Sequence, residues 1–476
     1  MSATNNAHVA NDANQSLMLD PLDAVSPLDG RYAAELEPLR PFFSERALIS
    51  RRLRVELRYL QALLELLGKA TPELALKLQQ LESDSGLVAG VKRHEAVTRH
   101  DVKAVEYALA DALKQDFPEA VNWLHWGLTS EDVNNLAYGL MLSESYVQAL
   151  LPAMYALLVR LTGWIDAGAQ LPMLARTHGQ PASPTTLGKE YAVFGMRLVQ
   201  ELRHLESLLP VAGKLNGATG NWHLFASFFP EQDWPVFSQR LISDLGLRCE
   251  RFSTQIVPRE SYARLMHSTL RINEILIDLA RDTWHYVSID YLQLRRRSLD
   301  EVGSSTMPHK LNPVLFENAE GNLEVANGLL TTLAAKLLKS RLQRDLSDST
   351  ALRNLGVALG HSLLAWQNLE RGFAQLAPNA SRLSADLDAH WEVLAEPLQH
   401  ALRLEGRQVP YDLIRQQIQG QQLDAASWQE LLAQLDVQLP VARPADYTGL
   451  AVQLANEAGI EMGRFLEERG IELESA

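Results

Sequence analysis

The sequence predicts an all-α protein of three parts, built around a central bundle of long helices. Apolar residues recur at helical spacing over long stretches: Leu53, Leu57, Leu60, Leu63, Leu64 and Leu67 within 43–68, then Phe194, Leu198, Leu202 and Leu205 within 191–209. The same period returns in Leu265, Leu270, Ile272, Ile275, Leu276 and Leu279 within 264–287. Runs that alternate apolar and polar residues, as a half-buried strand requires, are almost absent. Segments dense in Gly, Pro, His, Arg and hydroxyls fall at the ends and breaks of the helical stretches, where a bundle can gather polar groups.

At 476 residues the chain exceeds what one core usually holds. The expected division is a disordered tail at 1–18, an N-terminal helical domain at 19–121, a central bundle at 122–372 and a C-terminal helical domain at 373–476. The net charge of −14 argues against nucleic acid as a partner, because phosphate-backbone binding needs a basic face. A single cysteine, Cys249, excludes an internal disulfide framework and a Cys-based metal cluster, and suits a reducing, cytoplasmic setting. No uninterrupted apolar run reads as a membrane span, and the N-terminal residues lack the apolar centre of a signal peptide.

In chain order, SPLDGRY at 26–32 carries a Pro–x–Asp–Gly turn that delivers Arg31 and Tyr32 to one point. The arginines of 43–68 lie opposite its leucine stripe and read as a solvated or inter-helix face. In TRHDVKAVEY at 98–107, Thr98 reads as an N-cap that puts His100 and Asp101 in a first helical turn, with Arg99 and Lys103 on one face. Free backbone N–H groups there favour anions. In HWGLTSEDVNN at 125–135, Thr129 and Ser130 followed by Glu131 and Asp132 mark a helix start. The stretch 136–171 reads as one or two helices. Gly and Pro in ARTHGQPASPTTLGK at 175–189 break the helical pattern and expose His178, whose proton is exchangeable near neutral pH.

The glycine-rich bend GKLNGATGNWH at 213–223 has neither the preceding strand nor the spacing of a dinucleotide site. Gln255 precedes a proline and a new helix in TQIVPRE at 254–260. In RLQRDLSDSTALRN at 341–354, Arg341, Arg344, Ser349 and Arg353 share about four helical turns. Guanidinium forks suit phosphate oxygens, although surface pairing with Asp345 and Asp348 would use the same residues. EPLQ at 396–399 opens a weaker C-terminal region and suggests no chemistry. The stretch DEVGSSTMPHKLNP at 300–313 combines Gly303, Ser304, Ser305, Lys310 and Asn312 between prolines. It reads as a polar, hinged loop that closes over a substrate, and its spacing is not that of a phosphate-binding P-loop.

This last stretch matches GSSxMPxKxNP, the signature loop of the fumarase/aspartase superfamily, at every fixed position. Together with SPLDGRY, RTHGQPA and RDLSDSTALRN, it resembles the adenylosuccinate lyase branch. The resemblance runs from Ser26 to about Gln399. It implies a homotetramer with a shared helical core, active sites assembled from several subunits, and no cofactor or metal. It also implies His178 as general acid, Glu317 as the carboxylate that orients it, and Ser304 as general base with His100 as the alternative. Arg31, Tyr32, Arg344, Ser349 and Arg353 would hold a phosphate. Thr129, Ser130, Lys310 and Asn312 would hold the carboxylate where negative charge develops. Arg99, His100, Asp101 and Gln255 would line the site.

The implied reaction is a β-elimination. Adenylosuccinate would give AMP and fumarate, and the succinylaminoimidazole carboxamide ribotide of purine synthesis would be cleaved in the same way. Argininosuccinate lyase and cycloisomerase relatives share the loop, but their substrates lack the phosphate that SPLDGRY and RDLSDSTALRN would serve. A non-catalytic scaffold and a nucleotide-binding regulator without turnover are the readings from other classes.

Overall fold

A computed structural model describes residues 20–295 and 306–472. The expected tail at 1–18 lies outside these, as do Gly303, Ser304 and Ser305. The fold is all-α. Its centre is formed by Ser130–Ser145 continuing through Tyr146–Leu150 into Leu151–Gly168, with Leu187–Ser207, Glu260–Ser288, Val314–Leu337 and Leu355–Phe373 packed alongside. At 29 residues, Glu260–Ser288 is about 43 Å long. Among the described residues, strands form four two-stranded pairs, each strand two or three residues long.

The stretch 130–168 is a single 39-residue helical run, long and apolar enough by length and composition to cross a membrane. Polar residues such as Glu144, Gln148 and Arg160 interrupt it, so it is not an uninterrupted apolar run. Its most apolar window is 56% buried inside the protein and packs against neighbouring helices, so it serves as a core helix. Pro152 explains its irregularity. Proline lacks an N–H and clashes with the carbonyl one turn back, and the wider π turn at Tyr146–Leu150 absorbs that defect without ending the helix. Close approach also decides a residue type where Leu187–Ser207 starts. A Cβ on Gly188 would lie 2.4 Å from the Ile165 carbonyl oxygen, so only glycine lets the two helices meet there.

A separate apolar cluster, from Ile49 to Leu124, holds the N-terminal helices together. Another, from Trp391 to Val437, holds the short C-terminal ones. The last helix, Ala451–Glu467, leaves its neighbours in sequence and places Ala455, Ala458, Met462, Phe465 and Leu466 in the central cluster.

Candidate active site

A cleft of about 470 Å³ opens where several helix ends meet. Arg99, His100, Asp101, Thr129, Ser130, Gln255, Arg344, Ser349 and Arg353 line it, joined by Arg52, Glu95, Glu131, Asn134, Tyr138 and Asp348. Segments more than 200 positions apart in the sequence thus meet in one chain.

One wall is a break between helices. Gly86–Thr98 ends as Arg99 turns left-handed, at φ 53°, and the next helix runs Asp101–Leu113. The N-cap is therefore His100 and not Thr98, which is the last residue of the preceding helix. The Lys103 backbone N–H donates to His100 Nδ1 at 3.1 Å. An accepting Nδ1 leaves the neutral ring's proton on Nε2, where it can donate a hydrogen bond into the cleft. Burial alone would raise the pKa of Asp101. Arg52 at 2.7 Å, the Val102 backbone N–H and Arg353 at 3.5 Å outweigh it and hold the carboxyl below the ordinary value.

Arg52 corrects the reading of its helix. It is 2% exposed and lies on the packed side of Glu45–Leu66. Arg52 and Glu56 interrupt the spacing of Leu48, Val55, Tyr59 and Leu63, and polar residues within an apolar stripe were the signal that the leucine count hid. Arg51 and Arg54 do form the expected inter-helix contacts, with Glu144.

The opposite wall starts at Thr129, whose N–H donates to Asp132 at 2.9 Å, so the helix start read from the sequence is present. The two acidic residues that follow reach further than a cap requires. Asp132 also accepts from the backbone N–H groups of Asn216 and Gly217 and pairs with Lys214 Nζ at 2.9 Å, with both side chains fully buried. That pair clamps the glycine-rich bend beneath the helix start. Glu131 receives Arg259 on one oxygen at 2.9 Å and Arg344 on the other. Arg259 itself is 2% exposed and has Asp348 at 3.9 Å.

The segment 341–354 is not one helix: Leu342 is left-handed at φ 49°, and only Ser347–Leu352 is helical. The turn points Arg344 to Glu131, while Arg353 reaches Glu45 at 3.0 Å and Asp101. Arg341 stays outside the cleft with its side chain 83% exposed, pairing loosely with Asp345. Gln255 donates to the Ala218 carbonyl at 3.0 Å, tying the bend to the cleft.

The remaining expected residues lie elsewhere. His178 sits at the tip of a hairpin in which Arg176–Thr177 pairs with Gln180–Pro181. Both tip residues have positive φ, 53° at His178 and 75° at Gly179, as a two-residue I′ turn demands. The ring is exposed and does not line the cleft. Glu317 accepts from Trp284 Nε1 at 3.1 Å, so the pairing with His178 implied by the resemblance is not made inside one chain. Tyr32 accepts from Asn318, next to Glu317, and Arg31 lies 5.9 Å from the Tyr32 ring centre. Lys310 is exposed and, like Asn312, lies outside the cleft lining. Ser304 lies outside the described residues. Among the described residues, no group of His, Cys, Asp and Glu is arranged to hold a metal ion.

The fold matches that of a 3-carboxy-cis,cis-muconate lactonizing enzyme from Pseudomonas putida, with a TM-score of 0.71 over 90% of this chain and 97% of that one at 22% identity. A fumarate lyase from a Mesorhizobium species matches with a TM-score of 0.72 over 88% and 97% of the two chains at 17% identity. Residues 30–328 match the family described as Lyase, so the class is a lyase with the fumarase/aspartase fold. Residues 340–445 match the family described as Adenylosuccinate lyase C-terminal. The chain is 39% identical to the adenylosuccinate lyase of Haemophilus influenzae, over 93% of its own length and all of that protein's. It is 43% identical to that of Dictyostelium discoideum, over 84% and 89% of the two lengths. The chain belongs to the adenylosuccinate lyase family.

Proposed function

We propose that this enzyme cleaves adenylosuccinate to AMP and fumarate, and the succinylaminoimidazole carboxamide ribotide by the same β-elimination. The observation that carries this reading is the cleft. A helix start with two hydroxyls faces a pair of guanidinium-bearing segments across a space of nucleotide size. Arg344, Arg353 and Ser349 bind the phosphate, which replaces the internal carboxylate partners of the two arginines, and Arg31 and Tyr32, outside this cleft in their own chain, join them from another subunit. Thr129 and Ser130 donate to a substrate carboxylate, and His100 adds its Nε2 proton to the same end.

Ser304, acting as its alkoxide, removes the carbon-bound proton beside that carboxylate. Lys310 and Asn312 stabilise the charge that spreads onto the carboxylate oxygens. The electron pair then forms the carbon–carbon double bond as the carbon–nitrogen bond breaks, and His178 protonates the departing nitrogen. Because His178, Lys310 and Asn312 do not line the cleft of their own chain, other subunits of a homotetramer supply them. Glu317 from a further subunit then fixes the tautomer of His178. The cytoplasm is the compartment that suits this chemistry and the lone Cys249.

An absorbance assay with adenylosuccinate, argininosuccinate and malate in parallel tests the substrate, and turnover of argininosuccinate or malate alone would reject it. Mixing His178→Ala protein with Arg344→Ala protein, assayed at a substrate concentration well below the raised KM of the latter so that each alone turns over little, tests the sharing of sites. Mixed particles contain some sites free of both defects, so activity returns; mixtures that stay inactive after confirmed subunit exchange would reject shared sites.

A further inference from the structure

The hairpin that carries His178 has two residues per strand and cannot hold its shape unaided. It is anchored at both feet by the C-terminal part of the chain. At the first foot, Arg176 donates to Asp386 at 2.6 Å. The same Asp386 oxygen receives the Tyr291 hydroxyl, and Arg382 lies 3.5 Å from the other oxygen. Asp386 is only 6% exposed, so its charge is satisfied by these groups more than by water. At the second foot, Ser183 donates to Glu396 at 2.8 Å, and the Tyr447 hydroxyl donates to the same oxygen at 3.0 Å. Just before the first foot, Leu174 packs with Leu387 and Val393 in a small apolar cluster of its own.

We propose that Asp386 and Glu396 are positioning residues for the proton donor: the C-terminal helical unit acts as a platform that sets where the His178 tip projects. Glu396 opens the EPLQ segment, so this gives that segment a role. The inference rests on the reading of His178 as the general acid. A proton donor acts only within hydrogen-bond reach of the departing atom, and a misplacement of about 1 Å can cost about a hundredfold in rate. Loosening a foot therefore acts on kcat through His178, while the binding groups of the cleft are untouched.

The test measures kcat and KM for Asp386→Asn and Ser183→Ala, each alone and combined with His178→Ala. Asparagine keeps an acceptor for Tyr291 but loses the charge that draws Arg176. Asp386→Asn is expected to lower kcat by about ten- to hundredfold with KM within about threefold, and to add little once His178 is absent. Ser183→Ala, at a more exposed contact, is expected to lower kcat by about two- to fivefold with the same dependence on His178. An equal loss in the His178→Ala background, or an unchanged kcat in either single variant, overturns the proposal. Should Asp386→Asn fail to fold, the Ser183→Ala pair decides alone. Near-normal turnover by His178→Ala itself would instead reject the assigned acid, a separate outcome.

Discussion

The cleft and the His178 hairpin handle polar groups in opposite ways. In the cleft the charged groups at its centre have partners in the same chain: Asp101 has Arg52, Arg344 has Glu131, and Glu131 has Arg259 behind it. The helix start beneath them is pinned by the buried pair of Asp132 and Lys214. At the hairpin the polar partners are all at the feet, and the imidazole is left exposed at the tip. The groups proposed to recognise the substrate are preset by charge pairs, whose geometry a low-dielectric surrounding enforces. The proposed proton donor, by contrast, is displayed at an exposed tip.

The sharpest way to break this contrast is at the tip. His178→Ala is expected to lower kcat by about 10²–10⁴-fold with little change in folding stability, and added imidazole should restore part of the rate. A large fall in melting temperature with no rescue would mean that the ring has a structural task. Next in size is the clamp under the cleft. Asp132→Ala leaves the Lys214 ammonium buried without its carboxylate and should cost about 3–5 kcal/mol in urea unfolding. A loss under about 1 kcal/mol would show that the pair is not the clamp described.

A smaller effect belongs to the cleft arginine. Arg344→Ala removes the charged hydrogen bonds proposed to the phosphate, so KM should rise by about 10–100-fold with a lesser change in kcat. A fall in kcat with KM unchanged would move Arg344 away from ground-state binding.

The smallest expected effect is a pH dependence near the helix start. His125 Nδ1 lies 2.5 Å from Glu56, whose side chain is 1% exposed. Burial alone would lower the pKa of His125, but the Glu56 carboxylate outweighs it and holds the value above 6.5. The folded state thus keeps this proton more tightly than the unfolded chain does. The pair's contribution is full below 6.5 and fades as pH rises through the raised value. Glu56→Gln should therefore destabilise most at about pH 6, with the gap to wild type narrowing toward about pH 9 in thermal melts. A gap that widens with pH would reverse the assignment.

Much of this was legible in the chain. Leucine periodicity marked the long helices, because a stripe facing a core must repeat near 3.6 residues. Thr129 followed by Asp132 marked the helix start beside the cleft, since capping is local chemistry. Local pattern misled where partners came from afar. Arg52 reads as part of a solvated or inter-helix face and in fact bridges helices while lining the cleft, and Thr98 reads as a cap although Arg99 turns left-handed after it.

By itself, then, the sequence determined the helices, their breaks and the residue types offered at each break, because periodicity, capping and turn propensity depend on near neighbours. Only the tertiary structure decided that Glu131 holds Arg344, that Asp132 grips Lys214, and that the C-terminal carboxylates stand under the His178 hairpin. Those pairings join segments dozens to hundreds of residues apart, and no short-range rule selects one distant partner over another. Packing selects it, by which charges it brings together and removes from water.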